Sequence, residues 1–482
     1  MTSAKLLNLA IAHQQAGRLD DAEAVYRKLL ADDPADADAW HLLGTVAAAR
    51  RHWDDAVAHI ERALALSPAN PIYSANLAET LRLAGKFAAA ESTCRRGLQS
   101  NPSFAQLWNT LGCVLLARRQ LIEAVTAFRR AVSCDPQHLM AMLNCGTTLY
   151  DLGELDQALA AYEAALALQP DFAAARLSRS IVELLRGRIP AAWEEYEWRL
   201  RCPPGDPAVV SPPSWQGETL AGRTYLLEPE QGAGDTLLFL RYAQLLKQHG
   251  ATVCLGCPPE FSRLLTGHPW LDRIVVPGDS MPRFDVRCAL PSLPWMFGTT
   301  LQTNPGEIPY IQAPTLDAAV QQRLGNHDRF RIGIAWQGNP QQQRDWLRSI
   351  PLTNFLSLRS VPGCQLYSLQ VGYGREQLSG ISGIVDLADL LSDFADTAAV
   401  LPHLDLIIAC DSAVAHLAGA MGVDVWVPLA YVPDWRWLLE RDDSLWFPSA
   451  RLFRQRSFGD WHEVFLRIER AVVELVAGSR RR

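Results

Sequence analysis

No run of eighteen apolar residues occurs in this chain, so the sequence offers no membrane-spanning helix. Its opening, MTSAKLLNLAIAHQQAG, lacks a basic segment followed by an apolar one, and export by a cleaved signal is not expected. Positive charge is not in excess: 45 Lys and Arg stand against 52 Asp and Glu, a formal net charge of −7. That balance argues against nucleic-acid binding as the main business. The 10 cysteines are scattered without dense, even spacing, which excludes a disulfide scaffold and predicts a reducing, cytoplasmic setting. Disorder is excluded too, because 49% hydrophobic and 20% charged residues over 482 positions suit two or three domains with real cores.

What is present is a ruler of prolines. They stand at 34, 68, 102, 136, 170 and 204, a constant pitch of 34 residues. Aligned on them, one segment gives Trp108, Leu111, Gly112, Leu115, Ala124, Phe128, Ala131 and Pro136. Others give Trp40, Leu43, Gly44, Ala56, Ala63 and Pro68, or Gly146, Ala158, Tyr162, Ala165 and Pro170. The small residues let paired helices approach, the large ones fill the gap between units, and each proline ends a helix by lacking an N–H. This pattern resembles the tetratricopeptide repeat, a helix–turn–helix that buries its apolar face only by stacking. About six units are expected over residues 1–204, the first (Leu6, Leu9, Ala22, Tyr26) and sixth (Ala192, Tyr196) being weaker.

An α-solenoid of this kind presents a concave groove to another polypeptide. One groove-facing position reads Asn8, Leu42, Asn76, Thr110, Asn144 and Ser178 in successive units. Asn8, Asn76 and Asn144 each carry a donor and an acceptor, so they predict a ladder that bonds the backbone of an extended protein partner. The plainer alternative is a row of solvated helix positions. The repeats resemble those of eukaryotic O-GlcNAc transferases, where such a ladder holds the substrate protein.

Residues 201–217, RCPPGDPAVVSPPSWQG, contain five prolines and two glycines, which forbid regular helix and predict a semi-rigid linker over 205–222. Just before it, Trp193, Tyr196 and Trp198 form an aromatic helix face expected to dock on the next domain. From 223 the pattern changes to short apolar runs separated by helical segments. Strands are expected at 224–228, 251–256, 273–276 and 284–290, then at 331–336, 365–370, 383–387, 404–411 and 423–429. Near-continuous apolar strands of this sort make parallel sheets covered on both faces. The two series meet near 305–330 and predict two doubly wound α/β domains, 223–325 and 326–482, facing across a cleft.

Two motifs fall at strand ends. Gln231-Gly232-Ala233-Gly234-Asp235 precedes a helical run, with glycines for a tight turn and Asp235 at the helix start. A capping aspartate between turn glycines is the commoner explanation of such a string. Asp411-Ser412-Ala413-Val414-Ala415-His416 forms a strand–turn–helix whose free N–H groups suit an anion, with His416 one turn further in.

Residues 223 to about 475 resemble glycosyltransferase family 9, the heptosyltransferase-like group with the two-domain GT-B fold, and especially its branch bearing tetratricopeptide repeats. The matching strings are GAGDTLLFLRYA, AWQGNPQQQRDWLRSIPL, YSLQ, DFADTAAVLPHLDLIIACDSAVAHLAGAMG, PDWRWLLERDDSLWFPS and RLFRQRSFGDW. The resemblance implies two facing Rossmann-like domains, acceptor side first and nucleotide-sugar donor side second. It makes Asp235 the catalytic base and assigns Arg348, Gln370, Asp411, Ser412 and His416 to the donor, with Arg348 facing the leaving phosphates. Gln231, Gly232, Gly234, Gly338, Asn339 and Trp435 would lie near the site. Two departures, no lysine near Arg348 and no histidine where Gln341–Gln343 stand, leave the donor's identity open.

The implied reaction is metal-independent, inverting transfer of a sugar from a nucleotide sugar to a protein acceptor held by the repeats, flagellin being a plausible target by analogy. No D-x-D carboxylate pair stands at a strand end, and no cofactor is expected. A non-catalytic repeat scaffold with a degenerate sugar-nucleotide domain is one alternative. A transferase acting on a lipopolysaccharide-type glycan is another. Cys254-x-x-Cys257 lacks a second cysteine pair and is read as structural. Of the tryptophans at 426, 435, 437, 446 and 461, only Trp435 is placed near the site, the rest being assigned to packing.

Overall fold

The computed structural model describes residues 2–203, 209–303, 307–326, 328–342 and 344–479. Pro204, the first residues of the expected linker and Gln343 therefore lie outside the described residues. The chain divides into two compact units, 1–175 and 176–482.

The first unit is a stack of antiparallel helix pairs. Within each pair the first helix has 13 residues and the second 14, from Ser3–Gln15 with Leu19–Asp32 to Leu139–Asp151 with Leu155–Leu168. Close approach inside a pair depends on the absence of a side chain. A Cβ on Gly112 would stand 2.4 Å from the Phe128 ring, one on Gly146 2.5 Å from Tyr162, and one on Gly44 2.5 Å from Ile60. A second beat of the same pitch emerges at the turns inside each pair. Gly17, Arg51, Gly85, Arg119, Gly153 and Gly187 all have positive φ, between 62° and 82°. The sequence conceals it because arginine stands at two of the six positions, taking a conformation that favours glycine.

The pattern continues in Ala173–Leu185 and Ile189–Tyr196, twelve repeat helices among the described residues, although the twelfth lies wholly in the second unit. The second unit is built on two parallel sheets. The first runs β3-β2-β1-β4, with β1 Thr224–Glu228, β2 Thr252–Gly256, β3 Arg273–Val275 and β4 Val286–Ala289. The second runs β10-β9-β8-β5-β6-β7. Its strands are β5 Phe330–Ala335, β6 Cys364–Ser368, β7 Ile384–Asp386, β8 Leu406–Ala409, β9 Val425–Leu429 and β10 Ala450–Arg454. All its neighbours are parallel, and its order is that of a doubly wound sheet. The direction of winding reverses at β1/β4 in one sheet and at β5/β8 in the other, which opens a crevice at each set of carboxyl ends.

Ile332 and Ile334 of β5, Ile408 of β8, Trp336 and Phe355 form the core of the larger sheet with Phe465 and Ile468 from the Trp461–Ser479 helix. Trp426, Trp435, Trp437, Trp446 and Trp461 are all buried. The described part of the expected linker is fastened to the smaller sheet's surroundings. Val210 N–H donates to Arg287 O at 3.1 Å, Trp215 N–H donates to Met296 O at 2.8 Å, and Leu220 is buried.

Candidate functional site

A cleft of about 830 Å³ opens at the carboxyl ends of β1, β5, β6, β8 and β9, where both sheets deliver loops to one place. After β1 the chain turns through Gln231, whose φ of 70° is left-handed, and enters the helix Ala233–Phe239 at Gly232. Asp235 sits at the third helical position and curls back, so that its Oδ2 accepts the Gly232 N–H at 3.1 Å. Gly234 is small for a reason: a Cβ there would stand 3.1 Å from His416 Cδ2.

His416 belongs to the helix Ala413–Ala420 that follows β8. Its Nε2 stands 3.5 Å from Asp411 Oδ1, and its ring packs against Trp437 and Phe447 at 5.3 and 5.5 Å. Burial opposes charge on Asp411, but the adjacent His416 and the Arg348 guanidinium outweigh it and hold the carboxyl below its ordinary value. Arg348 is kept in turn by Asp345, with Nε donating to Oδ1 at 3.2 Å. The β5 loop passes directly over this pair, and a Cβ on Gly338 would meet Asp345 Oδ1 at 2.5 Å and Arg348 Nη2 at 2.8 Å.

The loops are braced by Gln370, whose Oε1 accepts from Trp336 N at 2.9 Å and Gln337 N at 3.0 Å. Its Nε2 donates to Gln337 O at 3.1 Å and Tyr373 O at 2.7 Å. With all four bonds made to backbone, its work at the cleft wall is to shape the β5 and β6 loops.

Sequence reasoning passed over Arg436. It follows Asp434-Trp435 in the loop after β9, lines the cleft and is 5% exposed. Its guanidinium forms an ion pair with Asp235, donates to Asp434 Oδ1 at 2.6 Å and stacks over Trp435 at 4.3 Å. The available signal was an arginine inside an otherwise aromatic run. Burial raises the Asp235 carboxyl above its ordinary value, and the Arg436 charge opposes that rise. A carboxylate poised in this way can accept a proton from a bound hydroxyl, while Arg348 and the N–H groups after Asp411 suit a diphosphate.

Of the residues singled out from sequence, Gln231, Gly232, Gly234, Asp235, Gly338, Asn339, Arg348, Gln370, Asp411, Ser412 and His416 all line this one cleft. Trp435 does not line it; it is buried behind, against Trp193, Tyr196 and Trp446. In the repeat unit Asn8 is exposed. Asn76 and Asn144 are tied to the preceding repeat, through His41 Nε2 at 2.7 Å and Asn109 Oδ1 at 3.0 Å. All ten cysteines are free thiols, and burial pushes Cys257 up to about 11. Among the described residues no group of three His, Cys, Asp or Glu could hold a metal ion, and no helix is long and apolar enough to cross a membrane.

Comparison with known proteins identifies the repeats. Residues 7–71, 41–103, 75–138 and 143–207 match the tetratricopeptide repeat family, so the N-terminal helices form a tetratricopeptide-repeat solenoid. Protein FlbA of Caulobacter vibrioides is 25% identical over 507 aligned positions, spanning 97% of this chain and 84% of that protein. Among solved structures, pilF of Pseudomonas aeruginosa matches 42% of this chain and 93% of its own at 20% identity and a TM-score of 0.38. YrrB, described as a TPR protein with an unusual peptide-binding site, matches 36% of this chain and 90% of its own at 25% identity and a TM-score of 0.29.

Proposed function

We propose that this chain is a metal-independent, inverting glycosyltransferase of the GT-B type, resembling family 9, that moves a sugar from a nucleotide sugar to a protein recruited by its repeats. The observation that carries the proposal is the grouping of Asp235, Arg436, Arg348 and the Asp411–His416 turn around one cleft at the ends of two parallel sheets. The hydroxyl of the acceptor attacks the anomeric carbon, and the bond from that carbon to the diphosphate oxygen breaks. Asp235 takes the hydroxyl proton. Negative charge gathers on the departing nucleotide diphosphate, where Arg348 and the N–H groups opening the Ala413–Ala420 helix lower its energy. Attack from the face opposite the leaving group inverts the anomeric centre.

The repeats supply the acceptor. On this reading Asn76 and Asn144, each tied to the preceding repeat through His41 and Asn109, would offer their side-chain oxygens to the backbone of an extended partner. The test is incubation of the purified full-length chain with a panel of nucleotide sugars, with and without candidate protein acceptors, measuring nucleotide release. Acceptor-dependent release with one donor supports the proposal. Release driven by a free glycan instead points to a glycan acceptor, and no release with any donor leaves a repeat scaffold.

A further inference from the structure

The repeat pattern runs through Tyr196, yet residues 176–203 pack as part of the unit that carries the cleft. Their closing helix, Ile189–Tyr196 with its continuation Glu197–Arg201, touches the β1 loop at the cleft edge and the loop after β9 behind its wall. On one lip, Gln231 Nε2 donates to the Tyr196 hydroxyl at 2.7 Å. Beside it, Arg199 Nε donates to Glu230 Oε2 at 3.0 Å and Nη2 to Ser292 Oγ at 2.5 Å, with its guanidinium 4.8 Å over the Tyr196 ring. Behind the opposite wall, Trp193 and Tyr196 meet the Trp435 ring edge-on at 5.3 and 6.0 Å, immediately before the cleft-lining Arg436. Trp193 is itself anchored by its indole N–H, which donates to Thr299 O at 3.0 Å.

From these contacts we infer that Tyr196, a residue of the sixth repeat, is a positioning residue of the transfer site and acts through Gln231. Gln231 is the left-handed residue of the β1 loop, a backbone conformation strained for a non-glycine residue and kept only where its surroundings hold it. The Tyr196 hydroxyl is the fixed point: it is buried, and it holds the Gln231 amide so that the next residue, Gly232, aims its N–H at Asp235 Oδ2. Loss of the hydroxyl frees Gln231 to relax toward negative φ, which swings Gly232 away and releases Asp235. The inference rests on the proposed role of Asp235 for its kinetic consequence, but not for its structural one.

The experiment is a double-mutant cycle in the full-length chain, with Tyr196→Phe, Gln231→Gly and their combination. Glycine takes positive φ without strain, so it removes the need for the tether. Tyr196→Phe alone is expected to lower kcat about fivefold to tenfold with donor KM unchanged, and to cost nothing further in the Gln231→Gly background. Equal loss in both backgrounds, or no loss in either, overturns the inference. Hydrogen exchange of the Gln231–Thr236 peptide supplies a readout independent of turnover. The Gly232 amide should exchange about tenfold faster in Tyr196→Phe, and unchanged exchange overturns the inference whatever the kinetics. If that exchange responds while no nucleotide sugar is turned over, the transferase proposal fails and the positioning of the loop stands.

Discussion

Asp235 and Arg436 lie 201 residues apart in the chain and form an ion pair that joins the loop after β9 to the helix after β1. Both side chains are largely buried, and each has a second tie, Asp235 to Gly232 N–H and Arg436 to Asp434. The pair thus fixes which carboxylate edge faces the cleft. It also sets how strongly the carboxyl holds a proton, because burial favours the protonated form and the guanidinium opposes it.

Asp235→Asn keeps the shape and the Gly232 contact but cannot accept a proton. Its kcat is expected to fall by about 10²–10⁴-fold with donor binding retained. Paired titration calorimetry and turnover measurements check this, and retained turnover removes Asp235 as the base.

Arg436→Ala shifts the pH profile in a direction that can be worked out. A base acts only when deprotonated, so the rate falls as pH drops through the carboxyl's value in the folded protein. Removing the largest influence that lowers that value, ahead of His416 and the Gly232 N–H, moves the acid limb of kcat to higher pH. At neutral pH the rate should drop by roughly tenfold. An acid limb that stays in place, or moves to lower pH, contradicts the electrostatic role of Arg436.

Gly338→Ala tests the donor side. The added methyl would overlap Asp345 Oδ1 and Arg348 Nη2, so the guanidinium must move out of the position the β5 loop now leaves for it. Donor KM is expected to rise by about tenfold, while the melting temperature falls by only a few degrees, as overpacking at one half-buried loop position predicts. A normal donor KM would mean that Arg348 does not face the donor.

How much of this was legible follows from where each residue takes its meaning. β8 and β9 are written as LIIA and VWVPL, apolar throughout because both faces are covered, and the sequence places them correctly. β10 was missed because ARLFR is an edge strand, with Arg451 exposed and a charge at each interruption of the apolar run. Asp235 and His416 were visible through local motifs. Arg436 was not, since its partner stands 201 residues away and no periodicity marks it. The proline beat ends the repeats near 204 and the matched repeats run to 207, while residues from 176 pack within the second unit, where Trp193 and Tyr196 meet Trp435.

Gly146→Ala addresses the repeat stack. A Cβ there would stand 2.5 Å from the Tyr162 ring, which is fully buried between helices of 13 and 14 residues and has nowhere to retreat. The expected cost is about 1–3 kcal/mol, read as a lower denaturant midpoint for the helical signal. Gly112→Ala against Phe128 should behave alike, and either variant unfolding at the parent midpoint would show that the pairs tolerate wider spacing.

The asparagine row separates groove chemistry from repeat cohesion. Asn76 and Asn144 use their amide N–H groups to reach His41 and Asn109 of the preceding repeat, which leaves their side-chain oxygens to meet a bound backbone. Replacing both by alanine therefore has two expected effects. Stability falls by about 1 kcal/mol for each hydrogen bond removed. Affinity for the captured protein falls by about tenfold or more if the oxygens accept from its backbone. Replacing both by aspartate distinguishes the two effects, since a carboxylate still accepts but cannot donate. It should weaken repeat cohesion at Asn144→Asp, where the partner is the Asn109 oxygen, yet preserve capture of an extended peptide that offers N–H groups. Capture that survives the double alanine change, measured by calorimetry with the full-length chain, would mean that the row holds the repeats together and does not touch the partner.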